Sequence, residues 1–121
     1  MRPTAIALLV VTAAAHLYLA PEHLGEMPYI GVLFILGGTG SLVAAGWLAV
    51  RDSPLAWAGG GLLCAGMLAA LVLSRTTGLP SFKEDGLEPL AVVCLIDEAA
   101  FLALWPVSRR RAANMLAAVI R

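Results

Sequence analysis

Residues 29–50 read YIGVLFILGGTGSLVAAGWLAV: twenty-two positions without one charged side chain. About 20 apolar residues, at 1.5 Å each, cross the ~30 Å hydrocarbon core of a bilayer. The same stretch holds Gly31, Gly37, Gly38, Gly40 and Gly46, a density that in water argues against a helix. In lipid the backbone finds no other hydrogen-bond partners, so a helix wins there. Three further apolar segments surround it, at about 4–20, 54–74 and 89–107. The reading is an all-α membrane protein: a four-transmembrane-helix up-down bundle (residues 1–107), followed by a basic interfacial tail (108–121) carrying a short amphipathic helix.

Composition agrees. Apolar residues make up 60% of the 121-residue chain and charged ones 13%, against roughly 45–50% and 25% in soluble domains. The formal net charge is zero, so no polyanionic partner is implied, and the short arginine-rich tail suits anionic lipid better than nucleic acid. The partner of first resort is the lipid bilayer itself. The first apolar run follows Arg2 but continues through Tyr18 to Pro21, which favours a retained first helix over a cleaved leader.

Punctuation marks the ends. Pro21 reads as the stop of the first segment. Ser53 reads as an N-cap with Pro54 at the first helical position, and Pro89 opens the last segment with Glu88 beside its positive dipole end. Gly78-Leu79-Pro80 is a turn signal inside the polar stretch 75–87. Tyr18, Tyr29, Trp47, Trp57 and Trp105 fall near segment ends, where amphipathic rings favour the interface. Arg2, Arg51, Arg109, Arg110, Arg111 and Arg121 share one side, and Arg75 and Lys83 the other. That six-to-two bias places both termini in the cytoplasm of a multi-pass plasma-membrane protein.

Small residues at every fourth position let helices approach closely: Gly37, Ser41 and Ala45 in the second segment, Gly61, Ala65 and Ala69 in the third. Four short helices bury little alone, so a homo-oligomer or a place in a larger membrane complex is expected. The two cysteines, Cys64 and Cys94, sit in apolar runs without a C-x-x-C spacing and read as core residues.

An ionisable group at depth in a bilayer costs about 2.5–3.5 kcal/mol and persists only with a counterpart. His16, Asp97 and Glu98 qualify, and so does Arg75 at a helix end. Thr12 lies one turn deeper than His16 on the same face, and if the first and last segments are neighbours, His16 and Glu98 meet. The carboxylates then suit a proton- or cation-coupled pair, or interhelical glue. A second group gathers at the outer loops: Glu22, His23, Glu26, Arg75 and Glu88, with Glu84 and Asp85. His16, Glu22, His23 and Glu26 form a candidate ligand set for a divalent metal ion, mixing nitrogen and oxygen donors. No Gly-rich phosphate loop and no serine or cysteine nucleophile paired with a histidine is present, so no catalytic residue is named and a non-enzymatic role is favoured.

Two stretches, HLYLAPEHLGEMPYIGVLFILGGTGSL (16–42) and SRTTGLP (74–80) with EPLAVVCLIDEA (88–99), resemble small four-helix membrane proteins common in actinobacteria. In size and helix count the chain is also similar to the DoxX-like proteins, linked to quinone-dependent redox complexes. The first resemblance implies His16, Pro21, Glu22, His23, Ser74, Arg75, Gly78, Pro80, Glu88 and Glu98 as the positions of interest, and supplies no catalytic assignment. Small multidrug transporters carry their carboxylate in the first helix, and vitamin K reductases need a cysteine pair; neither pattern is present. Three functions stand open: an outward-facing polar site binding or transporting a metal ion or proton; an accessory subunit of a membrane redox or respiratory complex; a haem- or quinone-linked enzyme.

Overall fold

The computed structural model describes residues 2–78 and 88–120. It contains four helices in ring order: α1 (Arg2–Glu26), α2 (Pro28–Val50), α3 (Pro54–Arg75) and α4 (Pro89–Ile120). Helices adjacent in sequence pack against each other, and α4 closes the ring on α1. All four are long and apolar enough to cross a membrane. Large apolar side chains cover the outside, among them Val43 (65% exposed), Leu36, Leu62 and Ile96. In water such a surface would aggregate; against acyl chains it is satisfied.

Proline shapes the helices in two ways. Pro28, Pro54 and Pro89 each open a helix, where the missing N–H would lack a partner anyway. Met27 before Pro28 is extended (φ −150°, ψ 106°), which breaks α1 from α2. Ser53 caps α3, its Oγ accepting from the Ala56 N–H at 3.1 Å. At the far end Gly78 adopts φ 88° and its N–H closes onto the Leu73 carbonyl at 2.6 Å, finishing α3.

Two helix ends differ from the sequence expectation, the stop at Pro21 and the end of the last span near 107. α1 continues past Pro21 to Glu26, and α4 runs through Pro106 to Ile120 as one helix, with no separate tail helix. A proline inside a helix forfeits one hydrogen bond but does not stop the residues after it from donating. Beyond Pro21, His23 is buried and rewards continuation; beyond Pro106, buried Ser108 does the same. Leu79, Pro80, Lys83, Glu84 and Asp85, singled out in the sequence, lie outside the described residues.

Packing is uneven along the bundle axis. The half that holds both termini is solid: Leu9, Leu48, Trp57, Cys64 and Phe101 form its centre with small alanines between them. Trp57 is thus a core residue and not an interfacial anchor; it is fully buried, tilted against Phe101 with centroids 5.5 Å apart. Its indole N–H is satisfied by donating to Asp52 Oδ1 at 2.7 Å, and Arg109 lies over its ring, 5.8 Å from the centroid. Asp52→Ala is expected to strand that buried donor at a cost of about 1–3 kcal/mol, whereas Asp52→Asn keeps an acceptor and most of the stability; thermal unfolding in detergent compares the two.

The small residues divide. Gly37, Ser41 and Ala45 are buried, and Ser41 donates to the Gly37 carbonyl at 2.7 Å. In α3 the buried stripe is Ala56, Trp57, Gly60, Gly61 and Cys64, while Ala65 and Ala69 face outward. Steps of four residues advance the direction by ~40° each, so the expected Gly61–Ala65–Ala69 face turns off α4 after its first member.

Candidate functional site

The other half of the bundle is hollow. A cavity of about 410 Å³ occupies the space between the end of α1, the start of α2, the end of α3 and the start of α4. Its walls are mostly hydrocarbon, including Leu19, Ile30, Leu33, Phe34, Met67 and Leu71. Polar groups are confined to its two ends. His23, Ser74, Arg75 and Glu88 stand toward the helix termini, and His16, Cys94 and Glu98 lie deeper, where the solid half begins.

Glu98 is only 1% exposed. Its Oε2 accepts from the Thr12 hydroxyl at 2.8 Å and stands 3.9 Å from His16 Nε2. Its Oε1 has no hydrogen-bond partner. A buried polar atom left so is rare and calls for an explanation. Thr12 is fully buried, held on α1 one turn from His16.

The imidazole orientation is set by the backbone. His16 Nδ1 lies 2.8 Å from the Thr12 carbonyl. A carbonyl only accepts, so Nδ1 carries the proton, and in the neutral ring Nε2 presents its lone pair toward Glu98. Metal-ligating histidines use this same arrangement, donating the far N–H to a carbonyl or carboxylate. His23 repeats it, with Nδ1 at 3.0 Å from the Leu19 carbonyl. Seven residues separate the two histidines, so they share a face of α1. Phe34 links them, stacked on His23 at 4.2 Å and tilted against His16 at 5.1 Å.

Cys94 completes the deep group. It precedes Glu98 by one turn of α4, and ligand atoms of His16, Cys94 and Glu98 all lie within 4.8 Å of one another. Among the described residues no other trio of histidine, cysteine or acid comes together this way. His16, Glu98 and Thr12 are expected here from the sequence, whereas Cys94 reads there as packing; its i, i+4 spacing to Glu98 is the available signal.

The remaining residues fall elsewhere. Asp97 is buried, with Oδ2 lacking a partner, yet it does not line the cavity. The adjacent carboxylates therefore part: one faces the hollow, the other does not. Glu22 and Glu26 are exposed and stand apart from the deep trio. Arg75 donates to Ser74 Oγ at 2.7 Å and lies 3.8 Å from Glu88, a pair at the cavity rim. Cys64 and Cys94 are both free thiols.

Fold and site together define the class: an all-α, four-helix chain suited to a bilayer, carrying a buried three-donor group beneath an apolar cavity. Comparison with models of known protein families, with characterised proteins and with solved structures found no match.

Proposed function

We propose that this chain binds a divalent transition-metal ion within the membrane, using His16 Nε2, Cys94 Sγ and Glu98 as ligands. The observation that carries this reading is the convergence of three different donor types within 4.8 Å at the buried floor of a cavity. A four-coordinate ion with bonds of ~2.0–2.3 Å holds its donors roughly 3.3–3.8 Å apart, so capture draws the trio together by about 1 Å. Mixed thiolate, imidazole and carboxylate donors favour zinc and its neighbours over magnesium or calcium, which prefer oxygen alone. A divalent ion also offsets what makes the empty site costly, a carboxyl group and a thiol held in a low-dielectric interior.

The cavity reaches the bundle end where α1 meets α2 and where Arg75 and Glu88 stand. The six-to-two distribution of Arg and Lys supports placing that end outside the cell. The ion then sits in the outer half of the bilayer, reached from the exterior, which suits capture or transport of an external metal. Binding to a larger redox complex is compatible with the exposed helix faces, but no residue pair favours it specifically.

Elemental analysis tests the proposal. Protein purified from cells supplied with zinc, copper, iron and manganese is expected to hold about one ion per chain, and Cys94→Ala to hold none above background. Wild-type protein without stoichiometric metal, after reconstitution as well, overturns it. Thr12→Val tests the supporting contact. It removes the hydroxyl that orients Glu98 while preserving shape, and is expected to weaken metal binding about 10–100-fold, as loss of a ligand's hydrogen-bond partner generally does; competition with a chelating dye measures it.

A further inference from the structure

The cavity is far larger than an ion requires. A coordinated water takes up ~30 Å³, whereas the space above the trio measures about 410 Å³ and falls within the ~300–1,000 Å³ range of small-molecule sites. Three protein donors leave a four-coordinate ion one open position. His16, Cys94 and Glu98 all line the cavity, so that position opens into it.

Two features restrict what can enter. The first is charge. A divalent cation, one thiolate, one carboxylate and a neutral imidazole sum to zero. An anionic head would bring net negative charge into a membrane interior, where unpaired charge is penalised, and any charge on neighbouring Asp97 adds to the repulsion. A neutral head meets no such barrier. The second is the orphaned Glu98 Oε1, a buried acceptor without a donor. A hydroxyl satisfies both conditions: its oxygen completes the coordination and its proton goes to Oε1. A ketone supplies the oxygen but leaves Oε1 unpaired. The walls, from Ile30 and Phe34 to Met67 and Leu71, suit an apolar body and offer it little to hydrogen-bond.

Granting the metal reading, on which this rests, we infer that the cavity binds a neutral, membrane-soluble alcohol or phenol whose hydroxyl coordinates the ion and donates to Glu98. Selectivity follows from the polar floor and the apolar wall: a hydroxylated hydrocarbon fits, its carboxylate analogue does not.

Cobalt-loaded protein in lipid nanodiscs, titrated with 1-naphthol and separately with 1-naphthoate, provides the test. The cobalt absorption bands report the coordination sphere directly. The expected result is a saturable one-to-one band shift with 1-naphthol and a response at least tenfold weaker to 1-naphthoate. Ala70→Phe and Ala91→Phe each place a ring in the cavity from a different helix; either one, when it retains cobalt, is expected to abolish the naphthol shift. Cobalt bands that ignore 1-naphthol in the loaded wild type overturn the inference and leave the metal site standing. An equal response to 1-naphthoate overturns the neutral-head requirement. Failure to bind cobalt at all removes both the ligand site and the metal reading beneath it.

Discussion

Glu98→Gln is expected to reduce metal affinity by about 100-fold or more while leaving the bundle intact. The substitution keeps the shape of a side chain that is almost completely buried and retains an acceptor for the Thr12 hydroxyl. It removes the negative charge, which in a low-dielectric interior is the larger part of a carboxylate's attraction for a cation. Losing a hydrogen-bond partner of a ligand costs ~10–100-fold, and losing a charged ligand costs more; 100-fold corresponds to about 2.7 kcal/mol. Stability moves the other way. An amide is cheaper to bury than a carboxylate, so metal-free Glu98→Gln is expected to unfold at or above the temperature of metal-free wild type. That pairing of opposite signs separates a functional carboxylate from interhelical glue. A structural Glu98 would lose stability on substitution and leave metal content unmoved.

Gly61→Leu is expected to break the contact between α3 and α4. Any side chain at Gly61 would begin inside the Trp105 ring, meeting Cε3, Cζ3 and Cδ2. The neighbouring Gly60 has the same constraint against Phe101. Membrane helices gain little from apolar burial, because lipid tails are equally apolar, and rely on close fit. Overpacking by a methyl group alone costs about 1–3 kcal/mol; a leucine at this position must push the helices apart. Gly46→Leu is the matched control, since nothing lies within 4 Å of a Cβ there, and it is expected to leave the unfolding temperature nearly unchanged. Equal behaviour of the two variants would mean that α3 and α4 do not depend on this approach.

The contrast between these two sites shows what the chain makes legible in advance. The four spans are plain because lipid demands long, uncharged, helical runs, and residues 29–50 meet that demand without ambiguity. Ser53 and Pro54 mark the start of α3 because capping is a local matter. The meeting of Thr12, His16 and Glu98 was also within reach: buried ionisable groups need counterparts, and few candidates exist in so apolar a chain. What escaped depends on three dimensions. Pro21 reads as a stop and the last span as ending near 107, although tertiary burial of the residues beyond carries each helix onward. Trp57 read as an interfacial ring, although a partner at Asp52 lets its N–H sit in the core. Cys94 read as packing because a thiol in an apolar run is usually that; only the rotation of α4 against α1 puts its sulfur beside His16. The cavity itself has no sequence signature, since it is the difference between the volume enclosed by four helices and the volume their side chains fill.

The most direct measurement is X-ray absorption at the edge of the bound metal, taken on wild type and Cys94→Ser in parallel. A site built from His16, Cys94 and Glu98 is expected to show one sulfur near 2.3 Å together with nitrogen and oxygen neighbours near 2.0–2.1 Å, and the sulfur shell is expected to vanish in the serine variant. A metal environment of light atoms only in the wild type, or a sulfur shell that survives in Cys94→Ser, would contradict the assignment.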